Sequence, residues 1–165
     1  MKVVFLDIDG VLVTDETIHM PLVPVDGDTG LPFRRLGYPQ FDKQCVQRLN
    51  RITETAGAVI VLSSTWRILP SEEEWERLKR YLSQVGIVAP VVDRTPRVGP
   101  ANEDGFKTRG MEIQAFLDVH PEVDKFIIID DDSDMDHLMP RLVLTYWDYG
   151  LEESHVGQAI SMLTD

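Results

Sequence analysis

The chain has 165 residues, of which 43% are hydrophobic and 27% are charged, a composition typical of one globular domain. Its net charge of −12 argues against non-specific binding to long nucleic acids, because such binding depends on lysine and arginine contacts with phosphates. The single cysteine, Cys45, excludes an internal disulfide bond and favours a reducing compartment.

The beginning of the chain, MKVVFLDIDG, lacks the basic region, the long apolar stretch and the cleavage site of a signal peptide. Nor does any run of about 18 apolar residues occur that spans a bilayer as a helix. We therefore expect a cytoplasmic protein that has no membrane partner.

The first apolar run, VVFL at 3–6, is rich in β-branched and aromatic residues and is typical of a buried parallel strand. It is followed by Asp7, Asp9 and Gly10. Residues 14–41 contain several prolines and glycines, which predicts an irregular loop, with a small hairpin, over one end of the sheet. We expect residues 14–41 to be a loop or a minimal cap within a single domain.

Beyond residue 41, helical patterns alternate with apolar runs. Asp42 and Ser71 are predicted to cap the first two long helices, which end at Gly57 and Gly86. The remaining predictions, in chain order, are strands at 58–64 and within 87–93, a polar loop at 94–106, a helix at 109–119, strands at 125–132 and 141–147, and a helix at 151–163. Alternation of this kind predicts one α/β domain over residues 1–165, a Rossmann-like three-layer sandwich with a central parallel sheet of about five strands.

Polar side chains stand at the predicted ends of three of these strands: Asp7, Ser63, Ser64, Asp130 and Asp131. In open parallel sheets, ligands bind beyond the carboxyl ends of the strands, where the strand order reverses. Carboxylates that meet there need a cation or a shared proton, and oxygen ligands favour magnesium. Because magnesium also binds phosphate oxygens, this pattern indicates phosphate chemistry.

Four segments resemble motifs of the haloacid dehalogenase (HAD) superfamily of phosphohydrolases. FLDIDGVLV resembles the first motif, LSST at 62–65 the second, Lys107 or Arg109 before a helix the third, and IIIDDDSD the acidic fourth. They occur in the order typical of the family and span nearly the whole chain. More narrowly, the chain is similar to compact members that nearly lack a cap, including those attached to RNA-repair proteins.

The resemblance implies a role for each aspartate. Asp7 is expected to attack phosphorus and to form an aspartyl-phosphate, while Asp9 protonates the leaving oxygen and then activates water. The side chain of Asp7, the backbone carbonyl of Asp9 and an aspartate of the pair Asp130 and Asp131 are expected to hold Mg²⁺.

The resemblance leaves two positions open. Either Ser63 or Ser64 is expected to bind phosphoryl oxygens, and either Lys107 or Arg109 to offset the negative charge around the nucleophile. Further expected substrate contacts are Gly10, Thr65 and Arg67, of which Arg67 alternatively pairs with an acidic loop. For Trp66 we expect a packing role in the core.

The resulting hypothesis is a Mg²⁺-dependent phosphatase that hydrolyses a phosphomonoester. A small cap leaves the site open to a nucleotide, to the phosphorylated end of a nucleic acid or to another phosphorylated molecule. Two alternatives remain at this point: a non-catalytic module that binds metal or phosphate, and a phosphotransferase of the same fold.

Overall fold

A computed structural model describes residues 1–23, 37–98 and 107–165 of the chain. Within these residues, five strands form one parallel sheet in the order β3-β2-β1-β4-β5, which confirms the predicted parallel α/β architecture. The strands are β1 (Lys2–Leu6), β2 (Val59–Leu62), β3 (Val91–Arg94), β4 (Lys125–Asp130) and β5 (Leu142–Leu144).

Helices flank this sheet, and the alternation predicted from the sequence is confirmed. They are α2 (Lys43–Ala56), α3 (Glu72–Gln84), α4 (Arg109–Val119) and α5 (Glu153–Thr164), while the one-turn helix α1 (Asp15–Ile18) lies in the segment after β1. The carboxylate of Asp42 caps α2 by accepting from the N–H groups of Gln44 and Cys45 at 2.7 and 3.1 Å, and the Ser71 hydroxyl caps α3 by accepting from the Glu74 N–H at 3.3 Å. Both predicted N-caps are therefore present.

Apolar side chains cover both faces of the sheet, which gives the fold its three layers. Alternate residues of a strand point to opposite faces, so Val4 and Leu6 join a large cluster with α2, α3 and α5, whereas Val3 and Phe5 join a smaller cluster with α4. The side chains of residues 3–6 in β1 are buried on both faces, as expected for the central strand of a parallel sheet.

All five strands differ by at least one residue from the predicted bounds, and the third and fifth differ most. The third strand begins at Val91, after Pro90, whose carbonyl accepts from the Ile60 N–H at 2.9 Å. The fifth strand ends at Leu144 because the chain soon turns: the N–H groups of Tyr149 and Gly150 both donate to the Tyr146 carbonyl.

The segment after β1 contains more regular structure than the loop that the sequence predicts. It includes the one-turn helix α1 and an antiparallel bridge in which Val23 and Tyr38 exchange hydrogen bonds of 2.8 and 3.0 Å. This bridge agrees with the small hairpin expected there. Residues 24–36, the middle of the predicted minimal cap, lie outside the described residues, as do residues 99–106 of the polar loop predicted at 94–106.

The strand order reverses at β1, because the chain moves outward through β2 and β3 and then returns to place β4 on the other side of β1. The carboxyl ends of β1 and β4 therefore border the crevice where ligands bind in sheets of this kind. Among residues 1–23, 37–98 and 107–165, no helix has the length and apolar character needed to cross a membrane.

Candidate active site

The first acidic segment leaves the sheet in a tight turn. Asp7 follows β1 directly, and its N–H donates to the Ile129 carbonyl of β4 at 3.0 Å. The Ile8 carbonyl then accepts from three successive N–H groups, at residues 11, 12 and 13. Gly10 lies within this turn at φ +73°, a conformation that glycine adopts without strain. The turn is what brings the Asp7 and Asp9 side chains over the edge of the sheet.

Three carboxylates converge at this edge. Asp7, Asp130 and Asp131 each offer an oxygen, and the three oxygens lie within 4.8 Å of one another. Asp7 and Asp130 are buried, whereas Asp131 is partly exposed. The segments that supply these groups are more than 120 residues apart in the chain and meet because β1 and β4 are neighbours in the sheet.

Burial is costly for these carboxylates in their charged form. Burial raises the pKa of Asp7 to about 6, although the nearby positive charge of Arg109 acts to lower this pKa. It raises the pKa of Asp130 to about 8, and the nearby charge of Asp7 adds to that rise. The pKa of Asp131 is also raised, chiefly by burial. A cation bound among them would stabilise the charged forms of all three groups.

Among the described residues, Arg109 at the first position of α4 places a cation beside this cluster. Its Nη2 lies 3.9 Å from Oδ1 of Asp7, and its Nε lies 3.5 Å from Oδ2 of Asp130. Lys107 is exposed and lines a cleft beside Arg109. The geometry therefore favours Arg109 over Lys107 as the charge that faces Asp7.

The two serines after β2 also differ. The Ser64 hydroxyl hydrogen-bonds the Asp7 carboxylate, which lowers the pKa of Asp7 and partly offsets the effect of burial. Ser63 is fully buried, and its hydroxyl has no hydrogen-bond partner among the described residues. Because neighbouring residues of an extended chain point in opposite directions, Ser64 faces the site.

Asp9 lies outside the cluster of three carboxylates and has a partner of its own. Its Oδ2 accepts a hydrogen bond of 2.8 Å from Nε1 of Trp66. Trp66 is 2% exposed and belongs to the large apolar cluster, in agreement with the expected packing role. The contact with Asp9 was not expected, since a tryptophan after a buried strand carries no sequence signal for a polar partner.

The guanidinium of Arg67 binds groups of the protein itself. It donates to the carbonyls of Thr95, Ser63 and Ser64 at 2.9 to 3.0 Å and pairs with Glu112 of α4. The buried ion pair joins the segment after β2 to α4 and favours the alternative in which Arg67 binds an acidic group of the chain. Thr65, by contrast, is exposed and lines the same cleft as Lys107 and Arg109.

The acidic segment after β4 also holds α4 in place. The Asp132 N–H donates to Oδ1 of Asp130 at 2.9 Å. The Asp134 carboxylate accepts from the Arg109 N–H at 2.9 Å, and the Asp134 carbonyl accepts from the Gly110 N–H at 3.1 Å. A Cβ at residue 110 would lie 2.4 Å from the Met135 carbonyl oxygen. These contacts fix the start of α4, and with it Arg109, against the carboxylate cluster.

The carboxylate cluster fits a hard divalent cation such as Mg²⁺. Its donors are all oxygens, which Mg²⁺ prefers. Oδ2 of Asp130 is buried and accepts no hydrogen bond from the described part of the chain, so a lone pair of this oxygen remains for a metal ion. Asp7, Asp130 and Asp131 are the residues that can hold the ion.

Comparison with known proteins agrees with this geometry. A family model described as "HAD domain in Swiss Army Knife RNA repair proteins" matches residues 3–156, a span that runs from β1 into α5. Such a match supports a phosphatase-type hydrolase in general. A search of curated proteins returned no match for the chain.

Proposed function

Since the chain belongs to the family of HAD domains in Swiss Army Knife RNA repair proteins, we propose that it hydrolyses a phosphomonoester with the help of Mg²⁺. The observation that carries this proposal is the convergence of Asp7, Asp130 and Asp131 within 4.8 Å at the carboxyl ends of β1 and β4. A carboxylate that attacks phosphorus must approach a negatively charged group, and cations at the site reduce that repulsion.

The first half of the proposed reaction transfers the phosphoryl group to the protein. A carboxylate oxygen of Asp7 forms a bond to phosphorus while the bond from phosphorus to the leaving oxygen breaks. Asp9, in its protonated form, donates a proton to that oxygen, so that an alcohol leaves and an aspartyl-phosphate remains.

The second half releases inorganic phosphate. Asp9, now a carboxylate, accepts a proton from a water molecule whose oxygen attacks phosphorus, and the bond between Asp7 and phosphorus breaks. Arg109 and the Ser64 hydroxyl lie beside Asp7, where they can bind the phosphoryl oxygens. Mg²⁺ held by Asp7, Asp130 and Asp131, with the Asp9 backbone carbonyl as a further proposed ligand, would neutralise charge on the phosphoryl group.

The surroundings of Arg109 favour a substrate that is larger than phosphate and anionic. A cleft of about 170 Å³ opens beside it and includes Arg97, Lys107 and Thr65 in its lining. A second cavity of about 510 Å³ adjoins this cleft, since Arg67, Ile68 and Arg97 line both. Arg97, Lys107 and Arg109 bring positive charge to the cleft in a chain whose net charge is −12. We therefore place nucleotides and short phosphorylated nucleic-acid ends first among the candidate substrates.

The decisive experiment is hydrolysis of p-nitrophenyl phosphate with and without Mg²⁺. We expect turnover that requires the metal and that is lost in Asp7→Asn, because an amide is not a nucleophile for this step. Asp132→Asn is the matched control: the residue is exposed and lies in the same acidic segment, and turnover should persist. Substantial turnover by Asp7→Asn would refute the proposed nucleophile.

A panel of substrates then addresses specificity. It should include 3′- and 5′-nucleotides, oligonucleotides phosphorylated at either end, sugar phosphates and phosphopeptides, with alcohols added as alternative acceptors. Alcohol phosphates among the products would indicate a phosphotransferase. Absence of turnover on the whole panel, with retained Mg²⁺ binding, would favour the non-catalytic binding module.

A further inference from the structure

The side chain of Trp66, which lies outside the acidic segments, hydrogen-bonds Asp9. The indole N–H is a donor only, and a buried tryptophan usually directs it to a partner. Here it points to Oδ2 of Asp9 at 2.8 Å, although Trp66 itself is 2% exposed. The polar tip of a core residue is therefore directed into the candidate active site.

The indole ring has little freedom to reorient. It stacks on Tyr38 with ring centres 5.3 Å apart and planes 18° apart, and Phe41 contacts it edge-on at 5.7 Å. Tyr38 in turn stacks on Tyr81 at 4.4 Å. Close packing of this kind restricts side-chain rotation. The N–H of Trp66 thus presents a fixed donor to Asp9.

The short turn after β2 contacts both Asp7 and Asp9. It begins at Ser64, whose hydroxyl accepts from the Trp66 backbone N–H at 3.3 Å and hydrogen-bonds the Asp7 carboxylate. Two residues later, the indole N–H of Trp66 donates a hydrogen bond to the Asp9 carboxylate. The relative placement of Asp7 and Asp9 is therefore set by the segment after β2 as well as by their own turn.

We propose that Trp66 is a positioning residue for the acid–base step: its indole N–H orients the Asp9 carboxyl group toward the leaving oxygen and the attacking water. This inference rests on the proposed function, in which Asp9 carries the proton. Proton transfer requires heavy atoms within hydrogen-bond distance, and small displacements of a catalytic group reduce rates strongly. Trp66 contributes no proton; it acts through Asp9.

The test variant is Trp66→Phe, which keeps an aromatic ring but lacks the N–H. The control is Tyr81→Phe, which removes a hydrogen bond to the Pro39 carbonyl from a tyrosine of the same aromatic cluster. Substrates are phenyl phosphate, whose leaving oxygen needs protonation, and p-nitrophenyl phosphate, whose leaving group departs more readily without it. For Trp66→Phe we expect kcat/KM to fall about tenfold with phenyl phosphate and only about twofold with p-nitrophenyl phosphate, a fraction of the full acid–base contribution. Tyr81→Phe should affect both substrates equally.

Two further measurements complete the test. Asp9→Asn should show the same dependence on the leaving group. The double variant Trp66→Phe/Asp9→Asn should lose little more kcat/KM than Asp9→Asn alone, because the two residues act as one unit. Trp66→His, which retains a ring N–H, should recover part of the loss. If Trp66→Phe does not fold, Trp66→Met, which also lacks the N–H and has a flexible apolar side chain, replaces it. Equal losses on both substrates, or additive losses in the double variant, would overturn the inference. Turnover by Asp7→Asn would instead refute the proposed function.

Discussion

The backbone of Gly10 lies directly against the carboxyl group of Asp131: a Cβ atom at residue 10 would be 2.3 Å from the Asp131 Cγ and equally close to Oδ2. Gly10 also has a φ of +73°, which other residues adopt at a cost. Backbone conformation and close approach therefore both require glycine here. The contact joins the turn after β1 to the acidic segment after β4, so the two halves of the carboxylate cluster are packed against each other.

Gly10→Ala should displace Asp131 and weaken Mg²⁺ binding. We expect kcat/KM to fall by about tenfold or more, since displacements of about 1 Å in a site cost large factors in rate. Steady-state kinetics at several Mg²⁺ concentrations, with calorimetric titration of Mg²⁺, would measure both effects.

Gly57→Ala is the matched control for this change. Gly57 has a similar φ of +65°, and a Cβ there meets nothing within 4 Å. It should lower the free energy of unfolding by about 1 kcal/mol and leave kcat/KM unchanged. If Gly10→Ala behaved like Gly57→Ala, the close approach to Asp131 would have no functional consequence.

Removing the charge of Arg109 should have a much larger effect than removing that of Lys107. Arg109 lies 3.9 Å from Asp7 and 3.5 Å from Asp130, whereas Lys107 lies at the exposed cleft. For Arg109→Gln we expect kcat to fall about 10²-fold, the size seen when a donor that stabilises transition-state charge is lost. For Lys107→Gln we expect mainly a higher KM with anionic substrates. A larger loss of kcat in Lys107→Gln than in Arg109→Gln would reverse the assignment.

Much of the fold was predictable because its signals are local. The apolar run before Asp7 and the helix between Asp42 and Gly57 follow from composition, periodicity and capping. The meeting of Asp7 with Asp130 also followed, since carboxyl ends of parallel strands share one edge of the sheet. What the sequence left open were choices that depend on one residue of register, such as Ser63 against Ser64.

Other features depend on contacts that sequence spacing does not encode. Trp66 is 57 residues from Asp9, and its apolar surroundings predict packing whether or not its N–H has a polar partner. Arg67 and Glu112 are 45 residues apart, so a basic residue beside the second motif is equally compatible with substrate binding and with an internal ion pair. Side-chain directions in the folded chain separate these alternatives.

Arg67→Lys should destabilise the protein rather than weaken substrate binding. The change retains the charge but removes at least two of the hydrogen bonds that the guanidinium makes with backbone carbonyls and Glu112. At about 1 kcal/mol for each bond, we expect the free energy of unfolding to fall by about 2 to 3 kcal/mol. Urea denaturation would measure this loss, with KM determined in parallel.

Arg51→Lys provides the comparison on the surface. Arg51 pairs with Glu153 at 2.8 Å, and its side chain is 55% exposed; exposed pairs contribute about 1 kcal/mol or less. A rise in KM for Arg67→Lys without loss of stability would instead mean that Arg67 contacts the substrate.

The metal-free protein should lose stability as the pH rises. The pKa of Asp130 is near 3.8 when the chain is unfolded and about 8 when it is folded. The pKa of Asp7 is also raised in the folded state. Between these values the folded state binds more protons than the unfolded state, so the free energy of unfolding falls with increasing pH. The loss begins above about pH 4 and is complete above about pH 8.

Mg²⁺ should reverse this trend, because it competes with protons for the same oxygens. Thermal unfolding from pH 5 to 8 would show Mg²⁺ raising the Tm more at higher pH, by about 2 to 4 °C for each kcal/mol gained. In Asp130→Asn the amide cannot ionise, so the metal-free protein should be more stable than the native chain at pH 8, with little response to Mg²⁺. Asp132→Asn, which changes an exposed residue of the same segment, should retain the native response of the Tm to pH and to Mg²⁺. A Tm that rises with pH without Mg²⁺, or an equal response to Mg²⁺ in Asp130→Asn, would contradict the assignment of Asp130 to the metal site.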